Sequence, residues 1–267
     1  MQDIPPNYAT LFLATCNVLN LALPNRTYYE NQDSYNQREY ERKIGWLGER
    51  FHALNADVLA VQEVWDEAAF KAAIGQSGLR YDFIAVPGAE NPPAVPGAAA
   101  PVRSGAQGTP RVGIATRLHV DAVESFTDFP EGFAVEVPGL GLHSRFERPP
   151  LLVTLRMKHG QQVHVLTAHL KSKRPKFLQD AQGNALEDRE DRKVGARASL
   201  RSLLMRGAEA AALRCIVIDL LQGTHTPLVV MGDFNDNPHS VTTQLIAATS
   251  EVAYDKAARD VALFNAY

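Results

Sequence analysis

Short apolar runs alternate with helical spacings along the whole chain. LFLATCNV, from residue 11, reads as a strand, and a polar, Tyr-rich loop follows from Pro24 to Asn36. Tyr40, Ile44, Leu47, Phe51 and Leu54 then recur at the spacing of one helix face, and Asn55-Ala56-Asp57 ends that helix. VLAVQE is the next strand, residues 66–74 are helical, and YDFIAV is a strand. Residues 87–110 are rich in Pro, Gly and Ala. They read as one long exposed loop rather than a domain linker, because strand patterning resumes at once in VGIAT. Strands follow at LLVTLRM and VHVLTA, residues 170–193 are polar and loop-like, and a long helix is expected over 197–221. PLVVMGD reads as a buried strand opened by Pro227, and helical spacing returns near 241–248 and 255–264. With no internal repeat and few strict βαβ units, the pattern predicts an α/β or α+β sandwich around one core.

Composition narrows the class. The chain is 45% hydrophobic and 21% charged, which excludes global disorder. Its 27 Lys/Arg against 30 Asp/Glu do not make the basic domain typical of nonspecific nucleic-acid binders. Charge is unevenly spread, however: Lys171–Arg214 holds 11 Lys/Arg against 6 Asp/Glu. That stretch is either an anion-facing side or a solvated helix face. Cys16 and Cys215 both lie in apolar surroundings and read as buried free thiols. The first ten residues lack a basic segment followed by an apolar one, and no run reaches the roughly 18 apolar residues of a membrane span. A cytoplasmic protein without a membrane anchor is the expectation.

Four apolar strands end in residues that chemistry can use: Asn17, Glu63, His169 and Asp233, the last followed by Asn235 and Asp236. A polar group at the end of a buried strand is held rigidly. Any one of them alone is better read as a turn, cap or structural residue; four together point to a shared site. Carboxylate and amide oxygens suit a hard cation such as Mg²⁺ or Mn²⁺. A GxxxxGK[ST] phosphate loop, a GxSxG elbow and zinc-type Cys/His spacing are all missing from the sequence.

TCNV, VLAVQEV, VLTAHLKSK and VVMGDFND, in that order, resemble the motifs of the endonuclease/exonuclease/phosphatase superfamily, the deoxyribonuclease I-like group. The resemblance runs from about Leu11 to Pro238. It implies a four-layer sandwich of two mixed β-sheets flanked by helices, and a divalent-metal-dependent phosphoesterase. By this resemblance Glu63 is the principal metal ligand and Asn17 supports it; Asp233 orients or deprotonates the attacking water. Asn235 hydrogen-bonds the phosphoryl oxygens, and His169 occupies a position where the family carries His or Tyr. Lys171 and Arg148 are candidate phosphate contacts, while Asp236 and His239 are expected to cap the next helix. Two departures stand out. Leu19 replaces an acidic residue common in the apurinic-endonuclease branch, and no histidine follows His239, so the family's terminal Asp-His pair is missing. The expectation is one domain over 1–267, incomplete at its C-terminus and of doubtful activity as it stands.

Three functions fit these residues. A phosphodiesterase of nuclease type would use the basic stretch and Tyr28, Tyr29 and Tyr35 against a polyanion and its bases. A phosphatase or phosphodiesterase of small phosphate esters or phospholipid headgroups would use the same machinery. A catalytically impaired binding module would keep the metal ligands without turnover.

Overall fold

The caps explain where the elements start. Helix α1 (Gln37–Leu54) opens on Asn36, whose side chain accepts from the Glu39 N–H while Glu39 reaches back to the Asn36 N–H, a reciprocal capping box. It closes on Asn55 in the left-handed conformation. Tyr40, Ile44, Leu47 and Phe51 form the buried face as the spacing predicts, but Leu54, beside the cap, is exposed. The structure is a computed structural model that describes residues 10–28, 32–87, 109–180, 182–248 and 255–266. Most of the expected 87–110 loop, residues 88–108, and Tyr29 lie outside the described residues.

The chain forms two units. The first comprises Met1–Ser125, Pro150–Ala168 and Val229–Gly232. It contains two four-stranded sheets. One runs β1 (Leu13–Leu21), β2 (Val58–Val64), β4 (Arg111–Thr116), β3 (Phe83–Ala85), with β1 and β2 parallel and the other pairs antiparallel. The other runs β10 (Leu228–Asp233), β9 (Gln162–His169), β8 (Leu151–Arg156), β5 (His119–Ser125). Val58, Val112 and Ile114 of the first sheet meet Leu151, Val153, Leu155, Val163 and Val165 of the second in one buried layer. Leu59, Val61 and Val64 face the other way, onto α1 and α2 (Glu67–Ser77), where Phe51 meets Phe70 edge-on. So β2 is buried on both faces and its sequence is continuously apolar up to its last residues. Each such side chain contributes about 1.5–3 kcal/mol when fully buried.

The second unit comprises Phe126–Pro149, His169–Leu228 and Asp233–Tyr267. Its spine is α3 (Arg192–Leu221), accompanied by the hairpin β6–β7 (Val135–Val137, Gly141–His143), α4 (Val241–Ala247) and the short α5 (Lys256–Arg259). Arg201 of α3 donates to the Pro138 and Lys176 carbonyls and forms a two-pronged pair with Glu187, tying the helix to the hairpin and the preceding loop. No described helix is long and apolar enough to cross a membrane.

Three sequence expectations change. Helix α3 begins at Arg192, five residues before the expected 197, because the Asp191 side chain caps the N–H groups of Lys193 and Val194 where apolar spacing gives no signal. Strand β10 is half-buried along its whole length because it is a sheet edge, not the fully buried strand its composition suggests. Cys16 and Cys215 are free, as expected, but half-buried. Strands β5, β6 and β7 escape the apolar pattern altogether; β5 is mostly exposed and the other two are three residues long.

Gly232 fixes how close β10 lies to β9. Its φ is +143°, and a Cβ there would sit 2.0 Å from the Ala168 carbonyl oxygen. Strain and clash together predict that Gly232→Ala destabilises the fold by more than about 3 kcal/mol. Urea unfolding of the purified variant checks this; a wild-type midpoint would show that the close approach is dispensable.

Candidate functional site

In the first unit, the end of β2 brings Glu63 and Asn17 together. Register shifts interrupt the pairing of β1 with β2 between Asn17 and Leu21 and of β2 with β4 between Val61 and Val64. At this irregularity Glu63 takes φ +65°, a left-handed conformation that costs a non-glycine residue about 1–3 kcal/mol. The irregularity re-aims the carboxylate, as bulges commonly do. Asn17 Nδ2 donates to Glu63 Oε1 at 3.0 Å, and the Asn20 backbone N–H donates to Oε2 at 3.1 Å. Asn17 Oδ1 in turn accepts from the Leu19 N–H at 2.9 Å. Gln62, only 1% exposed, points the other way and satisfies its amide on Thr15 and Thr167. Asn20 was not legible as a site residue. Its side chain accepts from the Trp65 indole at 3.1 Å, so Trp65 holds the turn that carries the N–H.

In the second unit, the last residues of β9 and β10 and those that follow them converge. His169 Nε2 lies 3.7 Å from Asp233 Oδ2, and the Asn235 N–H donates to Asp233 Oδ1 at 2.9 Å. Asn235 has φ +53°, and its Nδ2 donates to the Leu170 carbonyl at 2.8 Å. His169 is 3% exposed, and its Nδ1 has no hydrogen-bond partner among the described residues. Burial above all, then the Arg148 cation, pushes its pKa down to about 3 against the opposing pull of Asp233, with Lys171 adding a smaller downward push. The imidazole is therefore neutral at physiological pH.

Arg148 donates through Nε and Nη2 to the His169 and Leu170 carbonyls, so it braces the strand end. Lys171 is buried, 3.8 Å from Glu147, and burial lowers its pKa. Glu209 of α3 was missed, since nothing in the helical pattern marks it. It is 1% exposed and accepts from the Lys171 N–H at 2.6 Å and the Glu147 N–H at 3.1 Å. One buried carboxylate thus joins the segment after β9 to the segment carrying Arg148.

Three further expectations are corrected. Ser240, not Asp236 or His239, caps α4. Asp236 instead pairs with Lys173 at 2.7 Å and Arg206 at 3.4 Å and accepts from Thr242. Burial raises its pKa, but Lys173 and Thr242 outweigh that and hold it down at about 2. The basic stretch is divided: Lys171, Arg201, Arg206 and Arg214 are buried and tied to carboxylates or carbonyls, while Arg192, Lys193 and Arg197 form a solvated face at the start of α3. Tyr28 is buried against Trp65 and Tyr35, which removes it as a stacking surface for bases.

No group of three or more His, Cys, Asp or Glu among the described residues is arranged to hold a metal ion. What is present is one carboxylate and one amide, both oriented by hydrogen bonds. That oxygen donor set fits Mg²⁺ or Mn²⁺, which bind through one or two carboxylates and keep several waters.

Residues 14–265 match the model of the endonuclease/exonuclease/phosphatase family, and the chain belongs to that family. A comparison with curated proteins finds no match. Among solved structures, a mannosyl-6-phosphatase of Bacteroides thetaiotaomicron is similar at a TM-score of 0.50 and 12% identity, over 90% of this chain and 70% of that one. ANGEL2, a 2′,3′-cyclic phosphatase, is similar at a TM-score of 0.50 and 16% identity, over 88% of this chain and 55% of that one. The human Nocturnin catalytic domain with bound sulfate gives 0.49 and 19%, over 88% and 68%. At these identities the likeness to the first two is one of fold, α/β with two mixed sheets and helices.

Burial holds the Glu209 carboxyl up at about 7 despite its two backbone donors. Because its folded pKa lies above the unfolded value, its contribution to stability is complete below about pH 4.5. It falls by on the order of 3 kcal/mol as pH rises through 7. His143, 3.9 Å away with its pKa lowered by burial, works in the opposite sense. Glu209→Gln isolates the first effect: wild-type stability minus that of the variant is expected to drop between pH 5 and 7.5 in urea titrations. A pH-independent difference would contradict it.

Proposed function

We propose that the chain is a divalent-metal-dependent phosphodiesterase of nuclease type, which hydrolyses its ester by attack of water on phosphorus. The observation that carries this reading is Glu63, kept in a strained backbone conformation with both carboxylate oxygens oriented by Asn17 and Asn20. Strain that packing and hydrogen bonds maintain concentrates at functional sites. Family membership makes phosphoester chemistry the natural use of such a carboxylate.

Glu63 and Asn17 would hold Mg²⁺ or Mn²⁺. When bound, that ion supplies Lewis-acid stabilisation of the charge that builds on a phosphoryl oxygen. Asp233 orients the attacking water and takes its proton as the new O–P bond forms; the bond to the leaving oxygen breaks, and that oxygen takes a proton from solvent. His169, neutral and buried, serves as a hydrogen-bond donor to the phosphate rather than as an imidazolium acid. Asn235 donates to the phosphoryl oxygens as charge accumulates there. Lys171 supplies positive charge, and Arg148 acts through the His169 and Leu170 carbonyls it holds. The phosphate ester is the partner this machinery requires, and nucleic acid is one form of it.

Hydrolysis of bis(p-nitrophenyl) phosphate and p-nitrophenyl phosphate, with Mg²⁺ or Mn²⁺ and with chelator, tests the proposal. Diester turnover should exceed monoester turnover, vanish with chelator and vanish in Glu63→Ala, while Asn235→Ala should lose about 10²–10³ in kcat. Faster monoester turnover would favour a phosphatase. Turnover that survives Glu63→Ala would refute the site. For His169→Gln the rate should fall about 10²-fold while the acidic limb of kcat/KM stays in place, since an imidazole titrating near 3 does not set that limb. A limb near 6.5 that disappears in the variant would show that His169 works as an acid.

A further inference from the structure

A cavity of about 720 Å³ opens beside Asn17 within the first unit, in the size range of small-ligand sites. One wall is a face of α1 at helical spacing, Glu39, Arg42, Lys43, Trp46 and Leu47; the other comes from the turns at 17–19 and 33–35. Of these, Leu47 also belongs to the core-facing side of the helix and forms the floor of the cavity, while Glu39, Arg42, Lys43 and Trp46 flank it. We infer that this cavity binds a planar heteroaromatic group, a nucleobase or similar ring, carried by the ester whose phosphate lies at Asn17 and Glu63. The inference rests on the proposed function for its phosphate, and on the cavity itself for its ring.

Three features carry it. First, large apolar side chains are spent on water here. Trp46 is 56% exposed and Leu19 is 66% exposed, the latter in a left-handed backbone with φ +50°. Strained backbone that presents an apolar side chain to an open cavity is costly unless something covers it. Second, the cavity has a polar end. Lys43 Nζ donates to the Leu19 carbonyl at 2.5 Å and to the Tyr35 hydroxyl at 3.0 Å, and lies 5.1 Å from the Tyr35 ring centroid, so one ammonium with three N–H donors stands at the cavity wall. A ring nitrogen or exocyclic oxygen fits that donor; an alkyl chain would desolvate it without return. Burial already lowers the Lys43 pKa, which agrees with an amine near the limit of its solvation. Third, the lining charges balance, with Asp33 and Glu39 against Arg42 and Lys43. That suits an uncharged ring and not a second phosphate. Asn17 is at once a wall of the cavity and the hydrogen-bond partner of Glu63, so one ester substituent is within reach.

The test separates the ring from the reaction. Adenosine, which has no phosphate, is titrated into the protein and followed by Trp46 fluorescence, with buried Trp65, 2% exposed, as constant background. Binding is repeated by saturation-transfer NMR on Trp46→Ala and Leu19→Asp. Saturable quenching is expected, with affinity lost at least about tenfold in both variants. Cyclohexanol at equal concentration is expected to give no saturable effect. Absence of adenosine binding, equal binding by the variants, or equal binding of cyclohexanol would overturn the inference. In parallel, a dinucleotide and a dialkyl phosphate are compared as substrates. Trp46→Ala is expected to raise KM for the dinucleotide about tenfold with kcat kept, and to leave the dialkyl ester unaffected. Adenosine binding without hydrolysis of any phosphate ester would sink the phosphodiesterase reading and leave the cavity's ligand standing.

Discussion

Everything in the first unit depends on β2 being covered from both sides. Val58 belongs to the layer between the sheets, and Leu59, Val61 and Val64 belong to the layer under α1 and α2. A strand so enclosed admits no charge along most of its length, and a carboxylate is tolerable only where the regular ladder stops. Glu63 sits at that stop, where the register shifts and the backbone turns left-handed. Burial of the strand and display of the carboxylate are one constraint, because the rigidity of the apolar part fixes the direction of the polar end. The neighbouring turn contributes in the same way, through Trp65 on Asn20 and Asn20 on Glu63.

The second unit solves a different problem. Cations and carboxylates are buried there in numbers that an apolar core would not accept, and most face a group of opposite charge or a backbone partner. Arg201 has Glu187 and two carbonyls, Arg206 has Asp236, and Glu209 has two backbone N–H groups. Breaking one such pair leaves an uncompensated buried charge, at a cost of about 3–5 kcal/mol. Specific placement of His169, Asp233 and Asn235 is what these pairings support. The residues that hold the strand ends, Arg148 and Glu209, do so through main-chain atoms.

This division also explains what could be read from the sequence. Strands β1, β2, β4, β8 and β9 are apolar and are recognisable as such, and α1 shows its face through Tyr40, Ile44, Leu47 and Phe51. Glu63 and His169 lie at or beside the ends of β2 and β9, and Asp233 ends β10, so their candidacy was visible from their position; Asn17 lies within β1, where the pairing with β2 is interrupted. Asn20 and Glu209 were not visible, because each acts through a backbone hydrogen bond that only the folded chain creates. The start of α3 was hidden in RKVGARA, where a cap rather than periodicity sets the boundary. The charge excess over Lys171–Arg214 misled for a related reason: counting charges does not say which are paired inside.

Strand order has a consequence for how the protein is made. Strands β5, β8 and β9 pair with one another over short stretches of chain, whereas β10 joins β9 only after residues 170–227 have intervened. Contacts between distant segments close late and slowly. On the ribosome the β5, β8 and β9 segments are therefore all made before the strand that brings Asp233, and the open side of β9 must wait for it. That interval is when an unpaired ladder is most exposed to wrong partners. The time needed to synthesise residues 170–233 sets how long that side of β9 stays open.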